Sequence, residues 1–408
     1  PRIGAGVTIT EVACAGEATA ARGLSFFPVG CIVFASGFGN AANNGMSTVT
    51  AAAAGTLTTD KTTAVEASPP AAARIQQVGF AFGTGDLTLT LAAGQVTLNS
   101  TSGGWFNVDV QVGEWLFIGD DDAGNRYDAG YGYGRVKSKD NNNVVLDEVA
   151  WVGTLATDAG AGKAIRVFVG TFIRNEKDPA LIKCRTYQVE RTLGEDDNGV
   201  QSEYLVGAVK NELTMNIPLT DKHTADFAYV ALDNEQRTGT DGVKSGAHVE
   251  LAKQKPYNTS STVFRMSMTL VDPTSLTPTA LFAYVSDATI TVNNNASAVK
   301  AVGVFGGFDI TVGTFTVGGA VTAYFTTVES VKAIRENKDV SFNAILAQAN
   351  KGLVYDIPLL GVGGGRLNVE KDAPVTVPIE NFGAENDNGY TASYTDFAYL
   401  PDVAMPSA

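Results

Sequence analysis

The sequence of 408 residues has little charge and few of the side chains that most catalytic sites need. Charged residues make up 18% of the chain, and 43 acidic residues outnumber 29 basic ones, which gives a formal net charge of −14. A surface that holds a nucleic acid backbone requires clustered Lys and Arg. We therefore expect that double-stranded DNA, if it meets this protein, passes without specific binding.

Cysteine is equally scarce. Cys14, Cys31 and Cys184 show no CxxC spacing, and three cysteines cannot all pair within one chain. Small buried side chains in a reducing compartment explain them better than disulfides or metal ligands. No apolar run reaches the roughly 18 residues of a membrane-spanning helix, and the N-terminal residues do not resemble a secretory signal. We expect a protein that is made in the cytoplasm and does not associate with membranes.

Candidate catalytic groups are few and poorly placed. The two histidines, His223 and His248, lie in polar sequence without a nearby nucleophile motif. The segment from Gly37 to Ala42 imitates a dinucleotide fingerprint, but no βαβ pattern supports it, and a turn is the better interpretation. Asp120 to Asp122 could hold calcium, yet they lack the ligand spacing of an EF-hand, which favours an acidic surface turn. We expect no enzymatic activity, no cofactor and no metal.

Short alternating segments with turn residues between them predict a mainly β protein. One group of them lies between residues 75 and 152, which also contain all three tryptophans, Trp105, Trp115 and Trp151. This region predicts a small inserted β-barrel whose aromatic side chains fill its own core. The predicted strands of the barrel are Leu87–Leu91, Gln95–Leu98, Val112–Ile118, Gly134–Lys137 and Val144–Leu146.

The chain also contains an internal repeat. Ile173–Asp178 returns in near-identical form as Ile334–Asp339, and each copy is followed by a predicted hairpin, the first at Asn198-Gly199 and the second at Lys351-Gly352. A helix is plausible near Ser330 to Asn337, with a counterpart around Arg174 to Ile182. The repeat predicts that one β domain is present twice.

The resulting domain prediction has five parts. Its fold class is mainly β, with two β-sandwich or barrel domains of one type and a small inserted barrel. The length of the chain agrees with two or three domains. The predicted parts are a first domain from residues 1–50 and 165–240, a connecting arm at 51–74, the inserted barrel at 75–152, a second domain at 245–400, and a C-terminal tail at 401–408.

The segments 290–325, 340–371 and 187–217 resemble the major tail tube proteins of long, flexible, non-contractile phage tails, and the resemblance covers residues 165–400 well and 1–50 loosely. The resemblance implies a β-sandwich-like tube domain whose inner sheet joins neighbouring copies into a ring, with the rings stacked into a hollow tube for DNA. Because such rings are commonly hexameric, a chain with two tube domains is expected to form trimeric, pseudo-hexameric rings, with hexamers as the alternative. Its expected partners are further copies of itself and the tail terminator and distal tail proteins, within the virion tail.

A DNA channel should repel phosphate, so acidic residues at hairpin tips and inner strands are candidates for its lining. An ordinary solvated surface is the alternative for each of them. A surface-displayed or capsid-decorating β-rich adhesion protein remains the alternative function. The candidate lumen-facing residues are Glu195, Asp196, Asp197, Glu203, Asp356 and Glu370.

Overall fold

The protein is built from antiparallel β-sheets with one short helix, Val328–Arg335, in its described part. Cys14, Cys184, His248 and Glu370 lie outside the described residues. The computed structural model describes residues 2–4, 8–10, 27–53, 56–66, 68–70, 73–92, 94–178, 180, 182, 185–243, 255–271, 280–282, 284–325, 328–364, 369, 371 and 374–406.

The first sheet contains twelve strands and uses only the first 168 residues. Its order is β1-β2-β5-β4-β3-β6-β12-β9-β10-β11-β8-β7. All five strands predicted between Leu87 and Leu146 are confirmed, with longer bounds for most of them. The strands are β1 (Arg2–Gly4), β2 (Thr8–Thr10), β3 (Cys31–Ser36), β4 (Gly45–Ala53), β5 (Thr56–Thr59), β6 (Arg74–Ala81), β7 (Leu87–Ala92), β8 (Gln95–Ser100), β9 (Trp115–Ile118), β10 (Tyr131–Lys139), β11 (Asn143–Val152) and β12 (Arg166–Phe168).

The second sheet also has twelve strands, and a separate two-stranded sheet joins β20 to β21. Its main path is β13-β26-β24-β25-β22-β19-β15-β14, with β16 and β17 paired to β15, and β18 paired to β23, which adjoins β24. The remaining strands are β13 (Thr171–Arg174), β14 (Tyr187–Asp196), β15 (Gly199–Ile217), β16 (Thr224–Val230), β17 (Asp233–Thr238), β18 (Val263–Leu270), β19 (Val285–Asn293), β20 (Ser297–Val299), β21 (Asp309–Thr311), β22 (Thr316–Tyr324), β23 (Val340–Gln348), β24 (Lys351–Gly364), β25 (Thr376–Gly383) and β26 (Ser393–Phe397).

Strand β9 contributes side chains to the cores on both faces of the first sheet, and all four of its side chains are buried. Successive side chains of a strand point to opposite faces. Leu116 and Ile118 enter a core shared by β6 to β12, where Trp105 is also fully buried. Trp115 and Phe117 enter a different core, in which the first sheet packs on the second. The sequence analysis expected the aromatic side chains of this region to fill its own core. That expectation holds for Trp105, but Trp115 packs in the core between the two sheets instead.

The core between the two sheets joins residues that are far apart in the chain. Trp115, Phe117 and Tyr133 from the first sheet contact Val354 and Phe397 from the second. Leu400 and Ala404, from the segment predicted as part of the second domain and the C-terminal tail, are fully buried in the same core. Burying this much aromatic surface fixes the two sheets against each other.

Strand pairing groups the chain differently from the predicted domain boundaries. Strand β6, at the start of the predicted inserted barrel, pairs with β3, and β12 pairs with both β6 and β9. Strand β15, assigned to the first predicted domain, pairs with β19, which was assigned to the second. The sheets divide the chain near residue 170 instead, since β12 ends the first sheet at Phe168 and β13 begins in the second at Thr171.

Part of the predicted connecting arm at 51–74 belongs to the first sheet. Strand β5 pairs with β4 within this interval, and its Leu57 is fully buried beside Cys31, Val33 and Val49. The expectation that the arm offers little to bury was wrong at this position. The reason is that a single large apolar side chain in a Thr-rich strand is enough to complete a small core when β3 and β4, beside it in the same sheet, contribute Cys31, Val33 and Val49.

The repeated motif adopts two different structures. The helix expected near Ser330 to Asn337 is confirmed as Val328–Arg335, whereas Arg174 ends strand β13 and residues 175–178 form no helix. The first copy begins as a strand because β13 pairs with β26. Beyond the strand, the side-chain oxygen of Asn175 accepts the N–H groups of Thr391 and Ala392. Tertiary pairing thus overrides the local sequence preference.

Both predicted hairpins are present, but their turns differ. Between β14 and β15 the turn residues are Asp197 and Asn198, and the predicted Gly199, with φ of 98°, follows them as the first residue of β15. Between β23 and β24 the turn residues are Ala349 and Asn350, with φ of 49° and 61°, rather than Lys351-Gly352. The Asn350 side chain donates to the carbonyl oxygen of Leu400 at 2.9 Å, which ties this unusual turn to the C-terminal segment.

Candidate functional site

One broad surface of the second sheet consists mainly of small and polar residues, and we call it the polar face. It begins as a ladder of cross-strand side-chain pairs between β15 and β19. The amide of Asn293 donates to Glu212 at 2.8 Å, the hydroxyls of Thr214 and Thr291 lie 3.5 Å apart, and the hydroxyl of Thr289 donates to Asn216 at 3.3 Å. Paired residues of neighbouring strands lie on the same face of a sheet, so these contacts show which side of the second sheet is the polar face.

The register carries the polar face across three further strands and onto β16. Their facing residues are small or polar, except Pro378 and Phe382. The polar face comprises Thr224, Asp226 and Ala228 on β16, Glu212, Thr214 and Asn216 on β15, Asp287, Thr289, Thr291 and Asn293 on β19, Thr316, Gly318, Ala320 and Thr322 on β22, Pro378, Glu380 and Phe382 on β25, and Gly361 and Gly363 on β24.

The charge of the polar face has a single sign. Its ionisable side chains are Glu212, Asp226, Asp287 and Glu380, and none of the residues that define it is Lys or Arg. Glu212 is held by Asn293, and Asp287 accepts the hydroxyl of Thr322 at 3.1 Å. The face therefore presents hydrogen-bonding groups and negative charge without a cation that could grip a phosphate.

The opposite side of the same strands is apolar, which explains why they form a sheet. Met215 and Ile217 on β15, Ile290 on β19, Val321 on β22 and Ile379 on β25 are buried in one core. Alternation of these residues with Thr, Asn and Gly produces one buried and one solvated face. In the sequence, the alternation of polar and apolar residues at Thr289–Asn293 is the local signal of these two faces.

The predicted lumen-facing residues do not lie on the polar face. Glu195 and Asp196 are exposed at the end of β14, and Asp197 is exposed in the following turn. Glu203, on β15, forms an ion pair with Arg191 at 3.0 Å and is less exposed. These four acidic residues are therefore together on one projecting hairpin. Glu370 lies outside the described residues.

Asp356 has a different environment, because its side chain is fully buried where the two sheets meet. Its carboxylate accepts from the Arg135 guanidinium at 3.1 Å, a contact between β24 and β10. The same guanidinium contacts Asp147 at 2.8 Å and Glu148 at 3.5 Å. Asp356 thus lies against the Arg135 guanidinium inside the folded chain and is not exposed to solvent.

The ion-pair network extends further across the junction. Arg265, on β18, donates to Glu148 at 3.1 Å and to the carbonyl oxygen of Val149 at 2.7 Å. Glu148 also accepts from Ser341 at 3.1 Å and from Asn343 at 2.6 Å, both on β23. Sequence reasoning missed this network, since the partners from the second sheet lie more than a hundred positions from those of β10 and β11, and no local spacing links the two groups.

Burial sets the direction of the pKa shift at Asp356 and Arg265, whereas neighbouring carboxylates set it at Arg135. Burial raises the pKa of Asp356 to about 7, although Arg135 opposes this shift. Burial alone would lower the pKa of Arg135, but the surrounding carboxylates of Asp356, Asp147 and Glu148 raise it well above its ordinary value. Burial lowers the pKa of Arg265, and Glu148 partly offsets that effect.

The residues considered above as possible catalytic or metal sites form hydrogen bonds and ion pairs with other parts of the fold. Asp120 forms an ion pair with Arg166 at 2.6 Å, and Asp122 caps a 3-10 turn through the Gly124 N–H. The segment at Gly37–Ala42 is a turn, as expected, with Glu66 accepting the Gly39 N–H at 2.8 Å. The described residues contain no group of three or more His, Cys, Asp or Glu side chains placed to hold a metal.

The remaining sequence expectations concern His223, Cys31 and membranes. The ring of His223 lies 5.5 Å from that of Tyr355, and burial lowers its pKa. Cys31 is buried with a free thiol, which confirms its interpretation as a small core residue. None of the helices in the described ranges is long and apolar enough to cross a membrane.

The fold and the polar face define the molecule as a double-sheet antiparallel β protein with one extended solvated face whose charge is acidic. The sequence matches the phage tail tube protein family over residues 90–383. Because this match covers well over half of the chain, the protein belongs to that family: it is a structural component of a phage tail and not an enzyme. No match was found among curated proteins.

Proposed function

We propose that the chain forms stacked rings that build the hollow tube of a long, flexible, non-contractile phage tail, and that the polar face lines the channel for DNA. The observation that carries this proposal is the charge of that face, whose four ionisable residues are all acidic. DNA can pass such a surface quickly, because no cation holds its phosphates while carboxylates repel them.

The edges of the second sheet support assembly through strand pairing between copies. Among the described residues, β14 and β16 each pair with β15 alone, so each has one edge available. A closed ring would cover edges of this kind and prevent uncontrolled association. Glu195, Asp196, Asp197 and Glu203, on the hairpin of β14 and β15, would then add negative charge near the channel or between rings.

The number of chains per ring has two candidates. The repeated sequence at Ile173–Asp178 and Ile334–Asp339 favours three chains, each supplying two tube domains around a pseudo-sixfold wall. The joining of β15 and β19 in one sheet favours the alternative of six chains, each supplying one wall sheet. In either case the tube would end at tail terminator and distal tail proteins.

Electron microscopy of the purified chain with helical reconstruction tests this proposal. We expect hollow tubes without any added cofactor, with the polar face toward the axis. A chain that never polymerises, or that coats capsids instead, would contradict the proposal and favour a decorating protein. Threefold or sixfold symmetry in the reconstruction would decide between the two ring sizes.

A further inference from the structure

The junction between the two sheets carries more acidic than basic side chains, and all of them are buried except Asp147, which is 27% exposed, and Arg265, which is 23% exposed. Three carboxylates, those of Asp147, Glu148 and Asp356, face two guanidiniums, those of Arg135 and Arg265. The side chain of Asp356 is 0% exposed and that of Glu148 is 2% exposed. The phenol of Tyr390 also faces this network, and burial raises its pKa, so it adds no charge of its own.

An unpaired charge in such a place is costly, because burial removes the water that would stabilise it. The network can become electrically neutral in two ways. Either one carboxylate moves out into solvent, or one of the three carboxylates binds a proton. Asp356 is the member with the least access to solvent, and its pKa of about 7 agrees with a proton held near neutrality.

A second buried carboxyl lies along the same junction. Glu114 is 1% exposed, directly before β9, and accepts the Gln111 N–H at 3.0 Å. Its flanking residues contact β26 of the second sheet: the Gly113 carbonyl oxygen accepts from Ser393 at 3.3 Å, and the Trp115 N–H donates to Thr395 at 3.4 Å.

The charges around Glu114 do not balance it. No ion pair joins it to a Lys or Arg in the described part of the chain. Burial raises its pKa to about 8, and the charge of Asp109 adds to this shift while Lys139 opposes it. The amine of Lys139 donates to the Val108 carbonyl oxygen at 2.5 Å rather than to Glu114.

We propose that the junction is a proton-dependent latch, in which Asp356 and Glu114 each keep a proton while the sheets are packed together, and loss of these protons opens the junction. This inference concerns the folded chain itself and does not depend on tube formation. Its consequence is that the angle between the polar face and the first sheet is rigid in acid and loosens in alkali.

The direction of the effect follows from linkage. When the junction opens, both carboxyls regain the ordinary acidity of hydrated side chains, with pKa values of about 4. Between that value and the raised values in the closed state, the open state has lost protons that the closed state retains. Rising pH therefore favours opening across this window, and the effect is complete once both states are ionised.

Amide hydrogen exchange of the full chain in dilute solution, corrected for the intrinsic pH dependence of exchange, measures the opening constant directly. We expect the opening constant of amides in β9 and β26 to rise by roughly tenfold per pH unit for each carboxyl between pH 5 and 7. Asp356→Asn and Glu114→Gln should each remove about one such factor of ten per unit. Amides of β8, in the separate core of the first sheet, serve as the internal reference.

The matched control is Asp197→Asn, an exposed carboxyl in the turn after β14, which should leave the pH dependence unchanged. A flat opening constant in the unmodified chain would overturn the latch, as would an unchanged slope in both variants. Equal slopes for β8 and the junction strands would also overturn it, because they would indicate global unfolding. If one variant fails to fold, the other variant and the unmodified chain still decide the question.

Discussion

The hydroxyl of Tyr133 on β10 donates to the carbonyl oxygen of Ala404 at 2.9 Å, across 271 positions of sequence. Both residues are fully buried, and the ring of Tyr133 also contacts Phe264 and Phe397 edge-on, with centroids 5.0 and 6.1 Å away. This contact holds the C-terminal segment against the first sheet. The segment that the sequence presents as a tail is therefore part of the junction.

Replacing Tyr133 by Phe should lower the free energy of unfolding by about 1–2 kcal/mol, because the buried Ala404 carbonyl oxygen loses its donor while the ring remains. Tyr131→Phe, on the same face of the same strand but only partly buried, is the matched control and should change stability by less than about 0.5 kcal/mol. Denaturant unfolding measures both. Equal effects for the two variants would show that the hydrogen bond contributes nothing specific.

Leu57 provides a test of whether the interval 51–74 is structural. Leu57→Ala should cost about 2–4 kcal/mol, since it leaves a cavity beside Cys31 and Val33 in a small closed core. Val65→Ala, at a position that is 55% exposed, is the control and should be nearly neutral. Thermal unfolding of the two variants distinguishes an integrated strand from a linker. An unchanged melting temperature for Leu57→Ala would support the linker.

Gly319 and Gly361 form a matched pair within the second sheet. A Cβ at Gly319, whose φ is 156°, would lie 1.9 Å from the Thr289 carbonyl oxygen, whereas a Cβ at Gly361 meets nothing closer than 3.8 Å. Gly319→Ala should therefore destabilise the chain by about 3 kcal/mol or more and separate β22 from β19. Gly361→Ala should fold normally. Circular dichroism with thermal melting compares them, and equal stability would contradict the close packing at Gly319.

The polar face predicts how added positive charge would act on DNA. Thr291→Lys places a cation at the centre of that face, so tubes assembled with short double-stranded DNA should retain it, and retention should fall steeply with salt. Val65→Lys makes the same charge change in the segment between β5 and β6 and should retain no more DNA than the unmodified tubes. Fluorescent DNA pelleted with the tubes provides the measurement. Retention that is equal in both variants would place Thr291 outside the channel.

The sequence by itself determined the β character of the protein. Alternation at Leu87–Leu91 and Thr289–Asn293 indicates the strands found there, because period-two patterning is a property of neighbouring residues. The turn at Asn198-Gly199 followed from the tolerance of glycine for positive φ. The resemblance to tail tube proteins rested on the same local patterns, and the family match confirmed it.

Only the tertiary structure decided which strands share a sheet and which charges are buried. Asp356 reads as a surface acid in its alternating segment, yet Arg135 reaches it from 221 positions away. Ile173–Asp178 and Ile334–Asp339 are similar in sequence but differ in structure. The first copy begins in a strand that pairs with β26, whereas the second begins in the last turn of the helix. Pairing partners and burial depend on distant segments, so a local pattern is compatible with more than one outcome until those segments pack against it.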